Sequence, residues 1–111
     1  MIIDLKIGVK MFYGVNLFLK SEISGEPDSN ALLEEQILLI SALSEEEAIK
    51  KASKQCNKSH SYKVSSGKTV TWSLYKIDRA YLIDELKDGA ELFSRFITKK
   101  EVTSLLKPFD E

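Results

Sequence analysis

The chain has 111 residues, with 16 Lys plus Arg against 17 Asp plus Glu, one His and one Cys, and 43% of it is hydrophobic. One core is the usual solution at this length, so a single domain over 1–111 is expected, and a formal charge of −1 argues against holding nucleic acid or an anionic membrane by bulk charge. The lone Cys excludes an internal disulfide and a multi-cysteine zinc site, and the lone His excludes two-histidine metal motifs.

Apolar residues occupy the odd positions from Ile3 through Leu19, while Asp4, Lys6, Lys10, Asn16 and Lys20 fall on even ones. A period of two predicts a strand with one buried face. Phe12 and Phe18 interrupt the polar face and predict that part of it is covered as well. The run exceeds an ordinary strand, so a bend or bulge is expected at Gly8 or Gly14, and residues 1–10 read as an N-terminal extension of the first strand. The same charges break any membrane-spanning run. With no basic start, apolar middle and small-residue cleavage site in order, the expectation is a cytoplasmic chain without a membrane partner.

Gly25-Glu26-Pro27-Asp28-Ser29-Asn30 is a turn signal. Residues 32–42 suit both a helical stripe and a buried strand; the strand is preferred because a better helix start follows at once. Ser44-Glu45-Glu46-Glu47 is a capping box, and Ala48, Ile49, Ala52 and Cys56 then make a small-residue stripe that lets a helix lie close to a sheet. Lys50, Lys51, Lys54 and Lys58 toward its end complement the helix dipole. Ser61–Val64 and Thr69–Ile77 flank Ser65-Ser66-Gly67-Lys68 as a hairpin, with Val70, Trp72 and Leu74 on one face, and Ala80–Ile83 extends the second strand past an irregularity at Asp78. Asp88-Gly89 predicts a turn into a last strand over 91–97. Thr98-Lys99-Lys100-Glu101 is a second capping box, opening a short helix that stops before Pro108. This order predicts an α+β fold: a mainly antiparallel sheet of four to five strands, one main helix packed on one face and a short C-terminal helix.

The motifs with residue types suited to chemistry have plainer readings. Ser66-Gly67-Lys68-Thr69 matches the tail of a phosphate-binding loop, but Tyr62 stands where that motif needs Gly and the flanking patterns are strands. Cys56 and His60 supply two of the roughly four ligands of a structural zinc site. The doublets Glu34-Glu35 and Asp84-Glu85 read as solvated charge, and Glu45–Glu47 serve the cap. Arg95 shares a strand face with Phe93 and Ile97, where a half-buried guanidinium needs a carboxylate or a stacking partner. It is a structural ion pair, or else an anchor for an anionic ligand or a partner's acid. Trp72 alternates with Val70 and Leu74 and reads as core, with the same second possibility. No catalytic, metal or cofactor-binding residue is assigned; the candidate partner or ligand contacts are Arg95, Trp72, Lys50, Lys54 and Lys58.

The ordered motifs Phe12-Tyr13-Gly14-Val15-Asn16-Leu17, Gly25-Glu26-Pro27-Asp28, Leu33-Glu34-Glu35-Gln36-Ile37-Leu38-Leu39-Ile40, Ser44-Glu45-Glu46-Glu47-Ala48, Asp84-Glu85-Leu86 and Asp88-Gly89-Ala90-Glu91-Leu92-Phe93-Ser94-Arg95-Phe96 together resemble a bacterial family of small domains of unknown function, number 4288 in its series. The likeness covers about residues 11–97. It supports a strand over 35–42, makes residues 1–10 an extension before Met11, and implies no activity.

The leading expectation is a non-enzymatic protein-interaction domain that self-associates as a homodimer through the edge of its long first strand. A long apolar edge needs cover, and closed symmetry supplies it. An immunity or accessory protein for a neighbouring toxin is one form of that expectation. The alternatives are nucleic-acid binding through the lysine-rich 50–68 segment with Tyr62 and Tyr75 nearby, and a small-molecule-binding enzyme using Arg95 and an acid in a polar pocket. Lysines without arginine suit the first of these poorly. Charge is segregated along the chain: residues 21–49 hold eight acids and no Lys or Arg, and residues 50–77 hold seven lysines and no acid. Association is therefore expected to weaken with salt.

Overall fold

The computed structural model describes residues 9–106, so the N-terminal extension falls almost wholly outside the described residues, as does Pro108. Four strands, β1 (Met11–Ile23), β2 (Leu33–Ala42), β3 (His60–Lys63) and β4 (Thr69–Ile83), form one antiparallel sheet in the order β2-β1-β4-β3. Helix α1 (Glu45–Cys56) packs on one face, a 3₁₀ turn at Asp28–Asn30 joins β1 to β2, and helix α2 (Lys99–Leu105) lies near the end of the described chain. The α+β architecture is as expected.

The alternation in β1 decides which face is core. Tyr13, Val15 and Leu17 are buried together with Ile40 and Ala42 of β2, Ala80 of β4, and Ala48 and Ala52 of α1. Alanines on the helix stripe bring α1 close, and Ile49 and Cys56 pack beside them. The helix starts where the cap places it: Ser44 Oγ accepts from the Glu47 amide at 3.1 Å. The Glu47 carboxylate reaches one residue further back than a capping box requires, accepting from the Leu43 amide at 3.1 Å. At the other end of the hairpin, Gly67 takes φ 85° in the β3–β4 turn, which makes the Ser66–Thr69 stretch a hairpin tip.

Three expectations are corrected. Gly8 lies outside the described residues, and the bend among those described lies not at Gly14 but in β4, where the register steps from Asn16↔Arg79 to Leu17↔Ile77 and from Phe18↔Lys76 to Leu19↔Leu74. Asp78 is therefore one extra residue, as its sequence suggested, and Tyr75 is a second. The long first strand is not an edge, because β1 is paired along its length with β2 on one side and β4 on the other. A strand with Phe12 and Phe18 on its second face belongs in the middle of a sheet. Finally, residues 91–97 do not form a strand. The turn before them does form, with Gly89 at φ 86° and the Ala90 amide donating to Lys87 O at 3.0 Å. The chain then runs as an irregular strap over the sheet face opposite α1, held by side chains instead of ladder hydrogen bonds.

Candidate functional site

The outer face of the sheet is built around a clasp. Asn16 on β1 is wholly buried there, and its Nδ2 donates to Glu35 Oε2 at 3.0 Å. Arg95 Nη1 meets the same oxygen at 3.3 Å, so one carboxylate of β2 ties the strap to the sheet. The Phe93 ring lies between β4 and the strap: the Arg79 and Arg95 guanidiniums stand 5.7 and 5.6 Å from its centroid, and the Tyr81 ring is 5.5 Å away and tilted. Arg79 Nη2 also donates to Ser94 O at 3.1 Å, satisfying a carbonyl that a strand would have satisfied through its ladder. Burial pushes the Tyr81 phenol up, against the opposing pull of Arg79. Both arginines of the chain are spent here on holding the strap down.

The sheet edges differ in kind. β3 pairs only with Thr69–Trp72, and the remainder of β4 is broken by two register shifts and carries Lys76, Asp78 and Arg79. β2 runs ten residues in one unbroken register with β1. The Ser21 amide donates to Leu32 O at 2.9 Å, which sets the alternation: even-numbered residues of β2 bond to β1, and Leu33, Glu35, Ile37, Leu39 and Ser41 turn their N–H and C=O groups to the open edge. Lys51 Nζ donates to Ser41 O and confirms the direction of that carbonyl. The side chains of Leu33, Ile37 and Leu39 are 54%, 44% and 53% exposed on the strap side of the sheet. On the α1 side, Lys51, Lys54 and Gln55 line a groove with Leu39, Ile40 and Ser41. Glu34 lies toward the other end of the same edge, where the Gln36 amide donates to it at 3.3 Å.

The residues singled out in the sequence scatter. Arg95 is the clasp ion pair, and it finds both a carboxylate and a stacking ring. Trp72 is half-buried and donates through Nε1 to Tyr62 Oη at 3.1 Å. Lys50, Lys54 and Lys58 are exposed, and of the three only Lys54 lines the groove beside β2. Elsewhere in the lysine-rich segment, Lys68 is paired with Glu26 at 2.6 Å. Cys56 packs against the core, where burial pushes its thiol up, and His60 is exposed on β3 with its ring 5.9 Å from that of Tyr62. Among the described residues, no group of three His, Cys, Asp or Glu side chains is placed to hold a metal ion. Among the same residues, no helix is long and apolar enough to cross a membrane. Sequence reasoning missed Asn16, Glu35, Arg79, Ile37 and Leu39. The available signal was parity: once residues 33–42 are a strand, Glu35, Ile37 and Leu39 share one face and Glu34 takes the other.

A family model described as a domain of unknown function, DUF4288, matches residues 12–94, and the chain belongs to that family. No curated protein and no solved structure matches the chain.

Proposed function

We propose that this DUF4288 domain is a protein-interaction module that self-associates by adding β2 of one copy antiparallel to β2 of a second. The two four-stranded sheets then become one continuous sheet across a two-fold axis. The observation that carries the reading is the β2 edge itself: ten residues long, in regular register, with outward backbone groups and three exposed large apolar side chains. Natural edges are usually shortened, charged or bulged to prevent such pairing, as the β3–β4 side of this sheet is.

Register follows from the alternation. Only a two-fold axis through a residue pairs outward-turned groups with outward-turned groups, and an axis through Ile37 uses all five: Ile37 meets Ile37, Glu35 meets Leu39, and Leu33 meets Ser41. Glu34 of each copy then lies beside Ile40 of the other, in the groove lined by Lys51 and Lys54. The charge segregation along the chain thereby becomes a contact.

Ile37→Pro tests this directly. The Ile37 N–H points away from β1, so proline removes no hydrogen bond from the monomer and eliminates both at the centre of the pairing, one from each copy. In sedimentation velocity at micromolar concentration, the native chain is expected to run as a dimer and the variant as a monomer with unchanged circular dichroism. A monomeric native chain, or a variant that stays dimeric, refutes the reading.

A further inference from the structure

We infer that the C-terminal arm, Phe96–Leu106, crosses the two-fold axis and docks on the outer sheet face of the partner copy, over its Ile37 and Leu39. This rests on the β2 pairing proposed above and names the second half of the same interface. The strap is fixed to its own copy up to Arg95, whose guanidinium is on Glu35. From the next residue onward most of the chain's apolar side chains are left uncovered. Phe96 is fully exposed, Ile97, Leu105 and Leu106 are exposed, and α2 has no buried residue. The helix is nonetheless built in advance. Thr98 Oγ1 accepts from the Glu101 amide at 3.2 Å while Glu101 Oε1 accepts from the Thr98 amide at 2.9 Å, a complete capping box. Val102, Leu105 and Leu106 fall at i, i+3 and i+4, one apolar stripe on a short helix.

The β2 register says where that stripe can go. Glu35, the anchor of Arg95, stands opposite the partner's Leu39, about 5 Å away across an antiparallel pair. The arm is therefore released beside an outer face on which the exposed Ile37 and Leu39 of both copies adjoin across the axis. Area points the same way. A strand edge alone is narrow, whereas stable interfaces bury about 1,200–2,000 Å² in total. Two arms, each bringing Phe96, Leu105 and Leu106 onto those side chains, supply the missing face-to-face contact.

The test is a double substitution, Leu105→Ser with Leu106→Ser, in the full-length chain. Both side chains are exposed in the single copy, so its fold and denaturation midpoint should not change. The dimer dissociation constant, from sedimentation equilibrium, should rise at least tenfold. A second measurement fixes the direction of docking. In a Cys56→Ser background, Leu39→Cys and Leu105→Cys chains carrying different tags are mixed and oxidised, and a disulfide-linked heterodimer is expected on a non-reducing gel. An unchanged dissociation constant, or no heterodimer, overturns the arm even if Ile37→Pro dissociates the protein, in which case the edge pairing alone stands. A dimer that survives Ile37→Pro overturns both.

Discussion

Gly14 carries no side chain because the strap and β4 occupy the place where one would stand. A Cβ built there would lie 2.7 Å from Tyr81 Cε2, 3.0 Å from Tyr81 Cζ and 3.1 Å from Leu92 O. The Tyr81 ring itself packs at a tilt against Phe93, so it cannot give way without disturbing the clasp. Alanine within a strand ordinarily gains about 0.5–1 kcal/mol over glycine by restricting the unfolded chain; overpacking a tight site costs about 1–3 kcal/mol. The second effect is the larger here, and Gly14→Ala should lower the urea midpoint. A midpoint equal to or above that of the native chain would show that the strap does not press on β1. The clasp also marks the limit of what the sequence discloses at this scale. A half-buried Arg95 calls for a carboxylate, and that need is legible from Phe93 and Phe96 around it. Which carboxylate answers is not legible, since Glu34 and Glu35 are adjacent and only strand parity and the β1–β2 register place Glu35 on the strap side. Arg79 was hidden for a related reason: it follows Asp78, the extra residue at a register shift, where parity counted along β4 breaks.

At the scale of elements, local signals were the readable ones. The Ser44 and Thr98 caps, the alanine stripe of α1 and the Gly67 and Gly89 turns depend on neighbours within a few residues, and each lies where the chain predicted it. Strand order and the fate of residues 91–97 depend on what lies across the sheet, which periodicity does not carry; an alternating Phe93–Arg95 pattern serves a strap on a sheet face as well as a strand. α2 shows how far a local signal can go alone. Seven residues are well short of the roughly 12–15 that hold a helix in water, so its cap should decide whether it forms before docking. The Thr98 amide and hydroxyl hold the Glu101 carboxyl below the ordinary carboxylate range. A depressed carboxylate contributes fully above its unfolded value, near 4.5, and its contribution is lost as pH falls through the lower folded value. Helical carbon chemical shifts over residues 99–105 should therefore be steady from pH 7 to 5 and decline in acid below that. Thr98→Ala should remove most of them at neutral pH. Helicity indifferent to both changes would mean that α2 is held by packing and not by its cap.

At the scale of the whole molecule, the described residues form a thin, extended slab, and that shape argues for a partner. Its radius of gyration is 18.1 Å, against about 13 Å for a compact domain of this length. Of the ten buried hydrophobic residues among those described, four are alanines, so this part of one copy encloses little apolar volume. In the proposed pairing, joining β2 edges lengthens the sheet without adding a new layer, and charge is what would set the match across the axis. With Ile37 on the axis, Glu34 of each copy faces the Lys51–Lys54 groove of the other, so the contact occurs twice. Lys54→Glu makes both contacts repulsive in its own homodimer, and Glu34→Lys does the same in the opposite sense. An equimolar mixture is different: the heterodimer holds one native Glu34–Lys54 contact and one reversed Lys–Glu contact, both attractive. Exposed pairs contribute about 0.2–1 kcal/mol each, so two contacts should move the dissociation constant roughly two- to thirtyfold. Each variant alone should dissociate by about that factor at low salt, and the mixture should recover native affinity. Screening shortens from about 10 Å at 0.1 M salt to about 3 Å at 1 M, so native and variant affinities should converge as salt rises. If the mixture associates no better than the separate variants, Glu34 does not face Lys54 and the axis does not pass through Ile37.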